Sequence, residues 1–326
     1  MVALRWEDWL PRDAAIGVEV RAVRSPIRSP RSAQSIVKKA IVTRLGEHYG
    51  ISRLPESGPA FPVDVGIRGD EVTVAIDTSG AGLHKRGYRT QSGPAPLKET
   101  LAAALVQLSY WNRDRVLADP FCGTGTIAVE AALIARNAAP GLHRRFLAED
   151  WPRLPRSIWT QARTEAADAV RDEPHAPILA SDIDRQAIEL ARRHATAAGV
   201  ARQINFEIRP FRDFHPAEEY GCLICNPPYG ERLGEQRQVE AIYREMNGVF
   251  DRLPTWSQYV LTAHPGFEKL VRRRSDRKRK LYNGRIECTY FQFYGPRPPR
   301  RPAGPDGNRT GVDAEAGRPD DGSTTE

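Results

Sequence analysis

No run of 18 consecutive apolar residues occurs in the 326-residue chain, so no segment is long enough to cross a bilayer as a helix. The N-terminus, Met1-Val2-Ala3-Leu4-Arg5-Trp6-Glu7-Asp8, lacks the apolar stretch of a secretory signal. Cysteine is scarce. Cys122, Cys222, Cys225 and Cys288 are too few and too scattered for a disulfide framework, and the expected compartment is the cytoplasm, with no membrane partner. Acidic residues are missing from one long stretch: between Arg21 and Arg44 lie seven basic residues (Arg21, Arg24, Arg28, Arg31, Lys38, Lys39 and Arg44) and no acid. Surface helices usually mix signs, so a sustained single-sign segment leans toward phosphate contact.

What is present begins with charge. Lys and Arg number 48 against 41 Asp and Glu, a net of +7. Residues 301–326 carry three basic and six acidic side chains, so their net is −3 and residues 1–300 hold +10. A basic body suits a polyanionic partner, because each neutralised phosphate releases counterions; an Arg-rich proteome would give the same excess.

Three regions separate along the chain. From about residue 1 to 90 the pattern is short strands around one helix. Residues 16–23 alternate as a half-buried strand, and 33–45 place Ile36, Val37, Ala40, Ile41 and Leu45 at helical spacing. Residues 61–67 and 72–76 read as strands joined by the turn Arg68-Gly69-Asp70-Glu71. Residues 91–295 then alternate strand (116–118, 177–180, 204–208, 222–225) with helix (125–136, 185–198, 238–252), which predicts a parallel sheet covered on both faces. Asn283-Gly284, between 280–282 and 286–294, predicts an antiparallel hairpin closing that sheet. The last region, 296–326, is rich in Pro, Gly, Asp and Thr and is expected to be disordered, because it has too little apolar surface to offset its ordering entropy.

Two loops at strand ends carry the chemistry. Asp119-Pro120-Phe121-Cys122-Gly123-Thr124-Gly125-Thr126-Ile127 leaves a strand and opens a helix. Its glycines allow a tight turn and close approach to a ligand, at the strand end where open α/β sheets bind ligands. No Gly-Lys-Ser/Thr follows, so this is not a Walker loop. Ser181-Asp182-Ile183-Asp184 leaves the next strand; Asp182 is the better candidate for vicinal ribose hydroxyls, and Asp184 reads as the cap of the following helix.

Asn226-Pro227-Pro228-Tyr229 follows the apolar strand 222–225. An exocyclic ring amine is a poor nucleophile while its lone pair is delocalised. Acceptors that hold both its N–H groups draw that lone pair outward. Asn226 supplies one through its side chain, and Pro227 a second through a carbonyl that proline geometry preorganises. Tyr229 offers a ring on which an extruded base can stack. Cys222 and Cys225 form a Cys-x-x-Cys, but within one strand they cannot face the same side, and no second Cys/His pair stands at ligand spacing; the reading is buried strand cysteines and no metal.

Taken together these residues resemble the THUMP-containing class I RNA methyltransferases, especially the bacterial large-subunit ribosomal RNA guanine-N2 enzymes. The similarity extends to Leu83-His84-Lys85-Arg86-Gly87-Tyr88-Arg89, Pro96-Leu97-Lys98-Glu99-Thr100-Leu101, residues 135–142, and residues 32–41, which resemble the closing helix of a THUMP domain. It covers about residues 1–295. The resemblance implies a Rossmann-like α/β sheet of seven strands preceded by a partial THUMP-like module, an S-adenosylmethionine cofactor and an RNA partner, ribosomal RNA first. It implies that Asp119, Phe121, Gly123 and Gly125 hold the donor, that Asp182 takes its ribose, that Lys98 and Thr100 border it, and that residues 139–176 are a family insertion. Asn226-Pro227-Pro228-Tyr229-Gly230 would be the catalytic motif, acting by direct attack of the amine without a metal or covalent intermediate. Arg28, Arg31, Lys38, Lys39, Lys85 and Arg86 are the expected RNA contacts, with the run 272–280 gripping backbone near the active face.

Two departures from the family pattern stand out. At Arg209-Pro210-Phe211-Arg212-Asp213 only Asp213 offers an acid for the adenine amine. Family members also carry an additional N-terminal stretch, so residues 1–82 are expected either to have an upstream start or to form a partial module with an exposed sheet edge. The substrates weighed against ribosomal guanine are a guanine of tRNA, a DNA adenine and a glutamine amide; a noncatalytic RNA-binding assembly factor is the reading from another class.

Overall fold

The sheet order explains where a ligand can sit. A computed structural model describes residues 1–89, 97–173, 175–229 and 236–299. Residues Met1–Pro296 form one compact unit. It opens with a three-stranded sheet: β1 (Ala15–Val23) pairs in parallel with β2 (Ala60–Arg68), and β2 pairs antiparallel with β3 (Glu71–Ile76). Between β1 and β2 runs α1 (Pro30–Tyr49). Ser29 caps it by accepting the Ser32 N–H, proline occupies its first turn, and Gly50 at φ +64° ends it. Val37, Ile41 and Leu45, at four-residue spacing, bury against Ile16, Val20, Phe61, Val63 and Val65. Ile36 instead lies 69% exposed.

The chain continues through α2 (Glu99–Gln107), β4 (Leu117–Asp119), α3 (Thr126–Ala135), α4 (Arg156–Asp168), β5 (Ile178–Asp182), α5 (Arg185–Ala197), β6 (Ile204–Ile208), β7 (Cys222–Cys225), α6 (Gln236–Asp251), β8 (Ser257–Thr262), α7 (Phe267–Leu270), β9 (Arg277–Asn283) and β10 (Ile286–Phe293). Strands β4–β10 form one seven-stranded sheet in the order β6-β5-β4-β7-β8-β10-β9. The first five are parallel; β10 runs antiparallel to both β8 and β9. From β4 the chain builds outward to β6 and then returns to the other side of β4 as β7. The loops leaving β4 and β7 therefore diverge and open a crevice, the usual ligand position in such sheets. The two faces bury separate cores, one holding Leu105, Ile127, Ile188 and Cys222, the other Val239, Phe250, Phe267 and Cys225. Cys222 and Cys225 thus face opposite sides, as their spacing requires.

The strand Ser257–Thr262 is absent from the sequence reading because three of its six residues are polar, yet all six are buried. The hairpin is present, but Asn283 pairs with Ile286 within the ladder, so Gly284 and Arg285 make the turn. Positive φ occurs at Gly284 and not at Arg285, the pattern of a II′ rather than a I′ turn.

Residues 144–151, within the expected insertion, pack on the N-terminal sheet and on the segment that follows it. The Trp151 ring stacks on Phe61 at 4.5 Å and its Nε1 donates to the Ala60 carbonyl at 3.0 Å. The buried Arg144 guanidinium donates to the carbonyls of Ser79, Ala81 and Gly82. Ala148 and Trp151 belong to the core of the N-terminal sheet. Truncation of a buried tryptophan costs ~3–5 kcal/mol, so Trp151→Ala should lose about that much in denaturant unfolding and open residues 1–77 to proteolysis. A loss below ~1 kcal/mol would show that the insertion rests on the module without holding it.

Candidate active site

One cavity of about 470 Å³ gathers residues from three strand ends. Its lining includes Asp119 at the end of β4, Phe121 and Gly123 from the loop after it, Thr126 at the start of α3, Asp184 and Gln186 from the start of α5, and Asn226 from the loop after β7. The first loop is held by its neighbours. Asp182 accepts the Gly123 N–H at 2.9 Å on one oxygen and the Asp184 N–H at 3.0 Å on the other. Cys122 N–H donates to the Ser181 carbonyl at 3.0 Å, and the buried His194 places Nδ1 3.1 Å from the Thr124 carbonyl, to which it can only donate.

The two glycines of the loop do different work. Gly123 sits at φ +50° with nothing within 4 Å of where a Cβ would stand, so its backbone faces the open cavity. Gly125, at φ +83°, would drive a Cβ to 2.9 Å from Ala191 Cβ; it lets α3 start against α5 and does not line the cavity. Asp119 is 1% exposed and accepts the Phe121 N–H at 3.3 Å. Burial pushes its carboxyl well above the ordinary carboxylate range, and nearby Asp182 adds to the rise. Among the described residues no Lys or Arg pairs with it.

On the opposite wall the Tyr229 hydroxyl donates to Asn226 Oδ1. A carbonyl oxygen has two lone pairs, so the second remains for a ligand N–H. Tyr243, buried in α6, donates its hydroxyl to the Pro228 carbonyl at 2.7 Å and lies 2.8 Å from the Thr262 hydroxyl. Pro227, between Asn226 and Pro228, is buried and does not line the cavity. The Tyr229 ring is half-buried against the core rather than standing open for stacking. Gly230, the last residue of the motif, lies outside the described residues, as do 300–326 of the expected tail.

Several expected residues fall elsewhere. Asp213 is exposed and does not line the cavity; Phe211 beside it stacks on Phe121 at 4.8 Å. Asp182 also stays off the lining, where Asp184 both caps α5, accepting from Gln186 N–H at 2.8 Å, and faces the cavity. Lys98 and Thr100 are exposed, and Leu97 takes the bordering position. Arg86 is committed to an ion pair with buried Glu130 at 3.4 Å, their side chains 11% and 3% exposed. Lys38 pairs with Glu56 at 2.8 Å. Arg28, Arg31, Lys39 and Lys85 are exposed. Sequence reasoning missed Tyr243, concealed in an apolar stripe with Val239, Met246 and Phe250. It also missed Arg89, which donates to the Leu97 carbonyl (3.0 Å) and the Thr126 hydroxyl (2.5 Å), and so ties two cavity walls together.

Comparison with known proteins gives the family. The family model described as "RMKL-like, methyltransferase domain" matches residues 86–292, and that of the THUMP domain matches residues 1–77. The chain is 43% identical over 301 residues to "Putative RNA methyltransferase YpsC" of Bacillus subtilis (strain 168), covering 92% of this chain and 78% of that one. It is 35% identical over 295 residues to "Ribosomal RNA large subunit methyltransferase K/L" of Legionella pneumophila (strain Corby), covering 88% of this chain but only 41% of the relative. Among solved structures, "SMU.472, a putative methyltransferase complexed with SAH" is 40% identical with a TM-score of 0.85, over 91% of this chain and 79% of that one. The chain therefore belongs to the RMKL-like methyltransferase family, with a THUMP domain preceding the methyltransferase domain.

Proposed function

We propose that the chain transfers a methyl group from S-adenosylmethionine to the exocyclic N2 amine of a guanine in RNA, with large-subunit ribosomal RNA as its substrate. The observation that carries the reading is that Asn226 lines the same cavity as Asp119 and Gly123. The residues fit the donor. A buried carboxylate without a cation suits an α-ammonium group, and the open space over Gly123 admits a ligand against the backbone. Asp184, or a remaining lone pair of Asp182, would take ribose hydroxyls. When bound, the donor supplies an electrophilic methyl group on a sulfonium.

The protein's own part is to hold and orient. Asn226 Oδ1 accepts one N–H of the guanine amine and the Pro227 carbonyl the other, which localises the nitrogen lone pair toward the donor. Tyr229 keeps the Asn226 amide aligned through its hydroxyl. The RNA reading rests on the THUMP domain, on the names of the relatives and on the exposed cations Arg28, Arg31, Lys39 and Lys85. Incubating the protein with tritiated donor and, separately, ribosomal RNA, tRNA, DNA and protein should label ribosomal RNA, with N2-methylguanosine recovered on digestion. Label confined to any other class would overturn the substrate.

A further inference from the structure

The hairpin β9–β10 stands beside the amine-holding loop and reaches beyond it. By register, Cys225 at the end of β7 lies level with Val260, Phe291 and then Lys278. Strand β9 runs parallel to β7 and continues for five residues past that level, to Asn283. At ~3.3 Å per residue β9 therefore runs roughly 15 Å past the end of β7, alongside the loop that carries Asn226. Residues close to the hairpin's turn touch the site itself: Asn283, 9% exposed, and Cys288 are hydrogen-bond neighbours of the Tyr229 hydroxyl, which donates to Asn226.

The tip is chemically one-sided. Residues 279–287 hold three basic side chains, Arg279, Lys280 and Arg285, and one acid, Glu287. Arg285 is exposed at the turn, and Tyr282 is 55% exposed, a large aromatic left in solvent. Lys280 lies 2.7 Å from Glu287, both side chains more than half exposed, and 5.6 Å from the Tyr282 ring centroid. An exposed ion pair of this kind is held weakly, so a phosphate can displace Glu287. By contrast, Arg272, Arg273 and Arg274 precede β9, on the side of the sheet away from the rim, and Arg273 pairs with Asp251 at 2.8 Å. The basic run is thus split, and only its distal part approaches the site.

We propose that the tip of this hairpin is an RNA-contacting surface for nucleotides flanking the target base, with Lys280 and Arg285 on the phosphodiester backbone and Tyr282 stacked on a neighbouring base. The proposal rests on the RNA reading above. A base seated at Asn226 brings its flanking nucleotides past this tip, and a cation pair around an exposed ring is the combination that binds unpaired nucleic acid.

The test compares wild-type protein with the Lys280→Ala/Arg285→Ala double variant and with Tyr282→Ala, using the RNA that wild type methylates. The double variant should raise the RNA KM roughly tenfold and make the dependence of log affinity on log salt shallower by roughly 1.4–1.8. Tyr282→Ala should weaken RNA binding about five- to a hundredfold without changing that slope. Thermal midpoint and S-adenosylhomocysteine affinity should hold in both. Unchanged RNA KM and salt slope in the variants, with wild type active on RNA, would overturn the hairpin contact alone. Wild type inactive on every RNA, or active only on a protein, would overturn the functional reading and the hairpin contact with it.

Discussion

Asp119→Asn should stabilise the ligand-free protein at neutral pH and cost it the donor. The carboxyl is buried without a cation, and burial raises its pKa well above the ordinary range. In the unfolded chain it titrates near 3.9. A raised folded value means the fold favours the neutral form, so stability is full below about pH 4. It declines as pH climbs from there through the raised value, above which the penalty is constant. The asparagine carries no charge and escapes this decline, so the gain in thermal midpoint should vanish below about pH 4.

Donor binding runs the other way. A cationic ligand needs Asp119 ionised, so its affinity for wild type should increase with pH above the usual carboxylate range, with a proton released on binding. The variant should bind about 2–5 kcal/mol more weakly, roughly thirty- to several-thousandfold, and lose that pH dependence. Calorimetric titration with S-adenosylhomocysteine in buffers of different ionisation enthalpy measures both effects. Equal affinity in the two proteins, with no proton release, would mean that Asp119 only shapes the loop.

What the sequence makes legible is local. Glycines, prolines and short polar residues at strand ends act through their own backbone geometry, so both ligand loops and the helix caps can be read without the fold. Asp184 as the cap of α5 is such a case. What depends on distant partners is hidden. Ser257, Gln258 and Thr262 look like loop residues until Gln258 is seen donating to the carbonyls of Leu253 and Trp256, and Tyr243 lying against the Thr262 hydroxyl. Satisfied in this way, polar groups can occupy a buried strand.

Charge is equally ambiguous from sequence. Arg86 and Lys38 read as phosphate contacts because their carboxylate partners, Glu130 and Glu56, lie 44 and 18 residues away. The Gly-x-Gly signature gives no hint that Gly123 faces the ligand space while Gly125 serves helix packing, a distinction set by the approach of α5. Nor does it show that Asp182 braces the loop through the Gly123 N–H.

Methyl transfer requires Asn226 to hold the amine in the donor's cavity. Its side chain is half-exposed, receives the Tyr229 hydroxyl, and keeps one lone pair for the substrate. Removing a single preorganised hydrogen-bonding group from a reacting centre typically costs ~10²–10³ in kcat. Alanine here removes an acceptor without touching Asp119 or Gly123. The measurement is kcat for methyl transfer by Asn226→Ala at saturating donor and RNA, alongside its affinity for S-adenosylhomocysteine. The prediction is a fall of ~10²–10³ in kcat with that affinity unchanged; a kcat within a few-fold of wild type would contradict the shared cavity as the place where the methyl is passed.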